Sequence, residues 1–390
     1  MTGLRTDTHA METVTAILAP SRPPRAEEPG EQAGPVHRYA VLPSARRPRY
    51  IVPVQRAAAA STRFRTARRA HHMRAMAVAS LRAGSSRMWP VRVAVPDGSP
   101  SDPSLRRWLA TALGEPDLEI AVALGGPRPN RKPVLQLIDP AGTTIGFAKV
   151  AVDDHTAELV ANESAVLGGA RPAPPLVLPG LRFSGSWRGR PVLVLDDIHP
   201  PAPARRLRLD AKTVRALAEL APVTMEPVAL SSWWTSLEHR AARAADPGLA
   251  ALVADLHPRL AGRTWEFGRW HGDLAPWNAT WNGDHLLVWD WERSEAPVPL
   301  GFDLLHNLSQ VHLLVLGGDA SDLARRLCTE AGPVLRDLGI AAEDHLALVL
   351  AYLVELRVRW ALDARAGRVD QKHGRIAVEL GAALAQAVSP

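Results

Sequence analysis

The sequence predicts an α+β chain with a small β-rich lobe carrying one main helix, then a larger and mostly helical lobe. Three patterns predict it. Between residues 111 and 197, short apolar runs alternate with turn residues, which is a strand signature. Beyond residue 205, apolar residues recur at three- and four-residue intervals, the period of a half-buried helix. From Gln32 to Pro96 there is no Asp or Glu but there are thirteen arginines, a composition unlike the remainder. The expected divisions are a disordered tail over 1–35, an Arg-rich extension over 36–110, a β-rich lobe over 111–197 and a helical lobe over 198–390.

The elements follow in order. Residues 1–35 are rich in Pro, Glu and Ala and have no periodic apolar face, so they are read as disordered. In the extension, residues 39–43 and 50–54 form two strands around a Ser-Ala-Arg-Arg-Pro-Arg turn. Residues 63–81 form a basic helix and residues 91–95 a third strand. Arginines 38 to 92 would attract an anionic partner, such as a membrane surface, nucleic acid or a phosphorylated ligand. The competing reading makes them a structural extension whose arginines pair with acids of the body. In the β-rich lobe, residues 118–124 and 133–138 are strands. Asp139-Pro140-Ala141-Gly142 turns the chain into a third strand, 144–152, and residues 157–167 form the helix. Residues 191–197 close the lobe as a strand. Helices are expected over 211–220, 231–245, 249–260, 302–316, 322–338, 343–366 and 370–387.

The chemistry is concentrated in His271-Gly272-Asp273-Leu274-Ala275-Pro276-Trp277-Asn278, followed by Trp289-Asp290-Trp291-Glu292. Asn278 lies five residues after Asp273, and Asp290 twelve after Asn278. Phosphoryl transfer needs this set: a carboxylate to orient and accept the proton of an attacking hydroxyl, then an amide oxygen and a second carboxylate to hold magnesium. Asn282-Gly283 supplies a tight turn before the apolar run 286–289, which places Asn278 and Asp290 on one hairpin. The order and spacing resemble the catalytic and metal loops of protein-kinase-like enzymes. The Asp-Trp in place of Asp-Phe-Gly resembles the aminoglycoside phosphotransferase and choline kinase branch, over about residues 115 to 385.

That resemblance implies a bilobal protein-kinase-like fold and assigns further residues. Lys149 sits in an apolar strand, a costly place for an ammonium group without a partner. It is one of only four lysines among 46 basic residues. Fourteen residues on, Glu163 resembles the family's helix carboxylate that braces this lysine against the nucleotide phosphates, with Glu158 as a rival. The loop 125–132 takes the place of a phosphate-covering loop, although its prolines depart from the glycine-rich pattern. The segment Leu195, Asp196 and Asp197 corresponds to the hinge whose backbone binds adenine. Asp303 corresponds to an aspartate that braces the catalytic loop, with a plain helix N-terminal acid as the other reading. His271 resembles a scaffold residue whose neutral imidazole orients that loop.

The implied activity is ATP- or GTP-dependent phosphorylation, with Mg2+, of a hydroxyl on a sugar, amino-sugar or aminoglycoside-like metabolite. Trp277, Glu292 and Glu355 are candidate substrate contacts, and Glu295 and Asp363 are further acids that could meet a cationic acceptor. Two other readings stand: a kinase-shaped scaffold, or a protein or glycan kinase recruited by the extension to an anionic partner. Composition narrows the field. The formal charge is +6, and the single cysteine, Cys328, excludes an intrachain disulfide framework. No run of about 20 apolar residues suggests a transmembrane span, so a cytoplasmic protein is expected.

Overall fold

A computed structural model of the chain describes residue 18 and residues 35–42, 49–53, 92–124, 132–199, 207–367 and 371–388. The chain divides into two compact units, one of Met1–Ser164 with Gly180–Asp197 and one of Ala165–Pro179 with Ile198–Pro390. The expectations for the tail, the basic helix 63–81 and the loop 125–131 lie outside the described residues.

The first unit is built on one eight-stranded sheet. Its strands are β1 (Val36–Leu42), β2 (Tyr50–Pro53), β3 (Arg92–Pro96), β4 (Glu119–Ala123), β5 (Val134–Ile138), β6 (Thr144–Val150), β8 (Leu181–Trp187) and β9 (Arg190–Leu195). The order is β3-β1-β2-β4-β5-β6-β9-β8, with antiparallel neighbours throughout. The three strands read from the extension are therefore present, but they do not stand apart. Strand β2 pairs with β4 through Tyr50↔Ala123 and Ile51↔Val122. The physical reason is twofold. Unpaired, β4 would present a bare edge. In addition Tyr39, Val41 and Ile51 carry apolar side chains into the same core as Ile120, Val122, Leu135 and Val194.

Helix α1 (Leu105–Leu113) completes that core, burying Leu105 and Leu109. Ser104 caps its first turn, and Gly114, at φ 71°, closes its last. Helix α2 (Asp154–Gly169) follows β6 and carries the main helical carboxylate candidates.

The second unit is mostly helical, as expected. Its helices are α3 (Ala211–Ala218), α4 (Ser232–Ala244), α5 (Pro247–Leu260), α6 (Phe302–Gln310), α7 (Leu323–Asp337), α8 (His345–Arg365) and α9 (Gln371–Val388). The helix expected to run to residue 316 instead gives way after α6 to a π-helical turn, Val311–Val315. Helix α8 is buried nearly all round from Ala347 to Leu356, which makes it the centre of the unit. Trp233, Trp270 and Tyr352 each meet Phe302 edge-on, at centroid distances of 5.5, 5.7 and 5.6 Å. Among the described residues no helix is long and apolar enough to cross a membrane.

Two small sheets in this unit frame the motif residues. One joins β10 (Thr224–Pro227), β11 (Thr264–Trp270) and β14 (Glu295–Pro299). The other joins β12 (Ala279–Asn282), β13 (His285–Val288) and β7 (Leu176–Val177), the last pairing in parallel with β13. Strands β12 and β13 are the hairpin expected from Asn282-Gly283, with Ala279↔Val288 at its open end.

Candidate active site

The loop from His271 to Asn278 leaves β11 and enters β12. Gly272 sits at φ 79°, and a Cβ there would run into the backbone oxygen of Arg293, so the position needs glycine. Arg359 Nη1 donates to the Gly272 carbonyl at 2.8 Å while its guanidinium lies over the Trp270 ring. From the other side Asp303 Oδ2 accepts the His271 backbone N–H at 2.8 Å. Asp303 therefore spends its carboxylate on this loop. Its burial pushes the carboxyl up to about 7 against the opposing pull of the loop N–H groups and Arg359.

His271 is fully buried and acts through both nitrogens. The Asp273 backbone N–H must donate to Nδ1 (3.2 Å), which leaves Nε2–H to donate to the Trp289 carbonyl at 3.0 Å. Burial lowers its pKa to about 4, so the imidazole is neutral at ordinary pH. The edge contact with Trp291, at 4.6 Å between centroids, fixes the ring further. This links the loop to the end of β13.

Asp273 is held at both carboxylate oxygens. Oδ2 accepts from Asn278 Nδ2 at 2.9 Å and Oδ1 lies 3.3 Å from His306 Nε2. The side chain is still 35% exposed, which leaves a face open to a hydroxyl. Burial raises its carboxyl, the hydrogen bond from His306 lowers it, and the net direction is down. Asp273 is thus an ionised acceptor with a set orientation.

Asn278 has one orientation consistent with its neighbours. Its Nδ2 donates to the Asp273 carbonyl at 2.8 Å as well as to the carboxylate, so Oδ1 faces away. The Trp289 N–H donates to the Asn278 carbonyl at 3.0 Å, which ties Asn278 to the strand end that carries Asp290. Asp290 adopts φ 70°, a left-handed conformation that costs aspartate roughly 1–3 kcal/mol and recurs at functional sites. An amide oxygen and a carboxylate are hard oxygen donors, and this donor set fits magnesium.

The first unit holds the expected cation. Lys149 lies in β6 between Val134 and Leu193 on its neighbours. Its Nζ meets Glu163 Oε2 of α2 at 2.5 Å, and the Glu163 side chain is wholly buried. The rival Glu158 lies 82% exposed near His155. At the end of β9, Leu195 is buried, Asp196 donates its N–H to the Gly180 carbonyl at 2.9 Å, and Asp197 is the last residue of the unit.

The substrate candidates separate. Trp277 is exposed (42%) beside Asn278, and Glu292 is half-buried. Glu355 requires a correction. It is completely buried in α8, and its oxygens are taken by Arg240, at 2.5 and 2.7 Å, and by Trp233 Nε1, at 3.1 Å. It neutralises a buried arginine and has nothing left for a substrate. Asp363 is likewise paired with Arg293, at 3.2 Å. Sequence reasoning missed His306, Tyr352 and Arg359. For His306 a signal existed: it follows Asp303 by three positions, which puts both on one face of α6.

No family model matches the chain, and no curated protein matches it. Solved structures do. One is a thermostable mutant of an aminoglycoside phosphotransferase in ternary complex with ADP and hygromycin B, with 11% identity and a TM-score of 0.47 over 73% of this chain and 99% of that one. Another is an aminoglycoside phosphotransferase in complex with GDP and kanamycin, with 14% identity and a TM-score of 0.45 over 72% and 99%. A third is a spectinomycin phosphotransferase with ADP and spectinomycin, with 14% identity and a TM-score of 0.40 over 73% and 94%.

Proposed function

We propose that the chain is a phosphotransferase that moves the terminal phosphoryl group of ATP or GTP to a hydroxyl of a small molecule. The favoured acceptor is a sugar, amino-sugar or aminoglycoside-like metabolite. One observation carries the reading: an ionised, half-open Asp273 shares a hydrogen bond with Asn278, whose amide oxygen is turned away from it and whose backbone carbonyl is tied to the strand end that carries Asp290.

Each residue then has a task. Asp273 accepts a hydrogen bond from the acceptor hydroxyl, aligns its oxygen with the phosphorus and takes its proton as the new O–P bond forms and the bond from that phosphorus to the bridging oxygen breaks, releasing ADP or GDP. Asn278 Oδ1 and the Asp290 carboxylate would hold Mg2+, which when bound neutralises charge on the nucleotide phosphates. Lys149, fixed by Glu163, supplies a positioned ammonium for the α/β-phosphates. Backbone groups from Leu195 to Asp197 are assigned to the base. Because the transition state is loose, alignment and charge neutralisation supply most of the acceleration, and a strong base is unnecessary. Exposed Trp277 offers a face to a sugar ring, and Glu292 a carboxylate to an amino group.

The test is a coupled ADP- or GDP-release assay with Mg2+ across aminoglycosides, sugars, nucleosides and choline-like alcohols. Acceptor-dependent release that vanishes in Asp273→Ala, with nucleotide affinity retained, is the expected result. Undiminished turnover by that variant would remove Asp273 from its role.

A further inference from the structure

The carboxylate of Asp273 is backed by a buried polar chain that the reaction scheme above does not use. His306, on α6, is 3% exposed, and Tyr352, on α8, is wholly buried. His306 Nε2 lies 3.3 Å from Asp273 Oδ1, and the Tyr352 hydroxyl lies 3.2 Å from His306 Nδ1. Two elements distant in sequence are thus aimed at one carboxylate oxygen.

The proton positions follow from the partners. An ionised carboxylate accepts only, so Nε2 must carry the proton that faces it. Nδ1 is then an acceptor, and the phenol must donate to it. The opposite tautomer would set a lone pair of Nε2 against Oδ1. A doubly protonated ring is disfavoured: burial, with Arg359 and Arg293, lowers the His306 pKa and outweighs the upward pull of Asp273. The chain of donors therefore runs from Tyr352 O–H through His306 to Asp273.

We propose that His306 and Tyr352 are positioning residues for phosphoryl transfer: the Asp273 carboxylate dictates the Nε2–H tautomer of His306, the phenol holds the ring by donating to Nδ1, and the Nε2–H fixes the carboxylate for the acceptor hydroxyl. This rests on the phosphotransferase reading. The geometry assigns the two oxygens different tasks. Oδ2 is shared with Asn278, so it links the base to the metal-holding amide. Oδ1 is referenced to α6 and α8, the interior of the unit. Rotation about the Cβ–Cγ bond of Asp273 would break both links at once. Removing His306 leaves Asn278 alone to oppose that rotation, without touching the groups assigned to the nucleotide.

The experiment uses the full chain with two readouts. In the first, histidine ring nitrogens are labelled with 15N and read by NMR, with His306→Gln providing the assignment. The expected state is neutral Nε2–H in the wild type, and Tyr352→Phe keeps that tautomer but shifts the Nδ1 resonance, which loses its hydrogen-bond donor. In the second, kinetics with the acceptor found by the panel compare His306→Leu with His306→Gln, whose amide N–H can replace the lost donor. His306→Leu lowers kcat by about 100-fold with nucleotide KM nearly unchanged, and His306→Gln recovers about tenfold of that loss. A melting curve for each variant separates misfolding from loss of orientation. If leucine fails to fold, the glutamine and phenylalanine variants carry the comparison.

An Nδ1–H tautomer in the wild type would overturn the proposal, and so would a kcat in His306→Leu close to wild type while Asp273→Ala is dead. If Asp273→Ala keeps its turnover, the phosphotransferase reading falls instead. The tautomer measurement needs no acceptor, so a silent panel still leaves it to decide the role of His306.

Discussion

Each unit contains a buried cluster in which histidine meets aspartate, and the two clusters behave in opposite ways. In the first unit, His37 of β1 sits 3.4 Å from both Asp97 and Glu119, while Arg106 of α1 forks onto Asp97 and donates to the Leu118 carbonyl. Asp97 and then Glu119, each within ion-pairing distance of the ring, raise the pKa of His37 to about 9. In the second unit, burial prevails and drives His271 down to about 4. The difference lies in depth and in the count of carboxylates. Two acids around a part-exposed ring keep it charged; a fully enclosed ring whose direct partners are backbone groups stays neutral. The charged cluster joins the extension strands to the sheet. The neutral one shapes a loop whose aspartate stays ionised and half open.

The largest break in this contrast is Asp273→Ala. It removes the one ionised, accessible acid of the second cluster, and kcat should fall by about 10²- to 10⁴-fold. In the first cluster the corresponding cut is Arg106→Leu. It leaves Asp97, whose carboxyl the arginine and His37 hold well below the ordinary range despite its burial, as an acid without its main partner. Breaking a buried pair from one side costs about 3–5 kcal/mol. Urea unfolding followed by hydrogen exchange of β1 and β4 peptides should show that loss in the first unit, with β12 and β13 unaffected. An equal loss in both units would end the view that this cluster serves the sheet alone.

Much of this was legible beforehand, for identifiable reasons. The motif spacing, the Asn-Gly hairpin and the helical periods are local patterns; the hairpin forms where expected, and the helices do so apart from the early end of the one read over 302–316. Two local patterns went unread. Leu105, Leu109 and Leu113 lie at helical spacing between Ser104 and Gly114, and residues 181–187 alternate between exposed and more buried positions. Other features had no local signal. Strand β2 reaches β4 across more than sixty residues, so nothing nearby announces that pairing. Glu355 read as a candidate substrate contact, because Arg240 lies 115 positions away. Tyr352 and His306 meet only once α6 packs on α8. Local chemistry named the candidate residues; long-range packing determined which residues hold them.

Asp303→Asn sharpens the contrast on the acid side. The Asp303 pKa is raised from its ordinary value of 3.8 to about 7. Below 3.8 both folded and unfolded states hold the proton, and the folded state suffers no penalty. As pH rises towards 7, the unfolded acid ionises while the folded one resists, so wild-type stability should fall by about 2–4 kcal/mol relative to the variant. Above 7 the difference should be flat. Urea midpoints of wild type and Asp303→Asn from pH 4 to 8 check it; parallel curves would mean that the carboxylate is ionised throughout.

The smallest effect belongs to His37, and its sign is reversed. A base whose folded pKa is raised from 6.5 to about 9 contributes its full stabilisation below 6.5 and loses it as pH climbs through 9. The ring is one-fifth exposed, so solvent screening trims the contribution to about 1–2 kcal/mol. His37→Gln keeps a polar side chain and removes the titration. Exchange rates of β1 and β4 amides, taken as a ratio of variant to wild type at each pH, should start well above one at pH 6. The ratio should approach one by pH 10. A ratio that stays constant would show that His37 is held by shape and hydrogen bonding, and that its charge does not fasten the extension to the sheet.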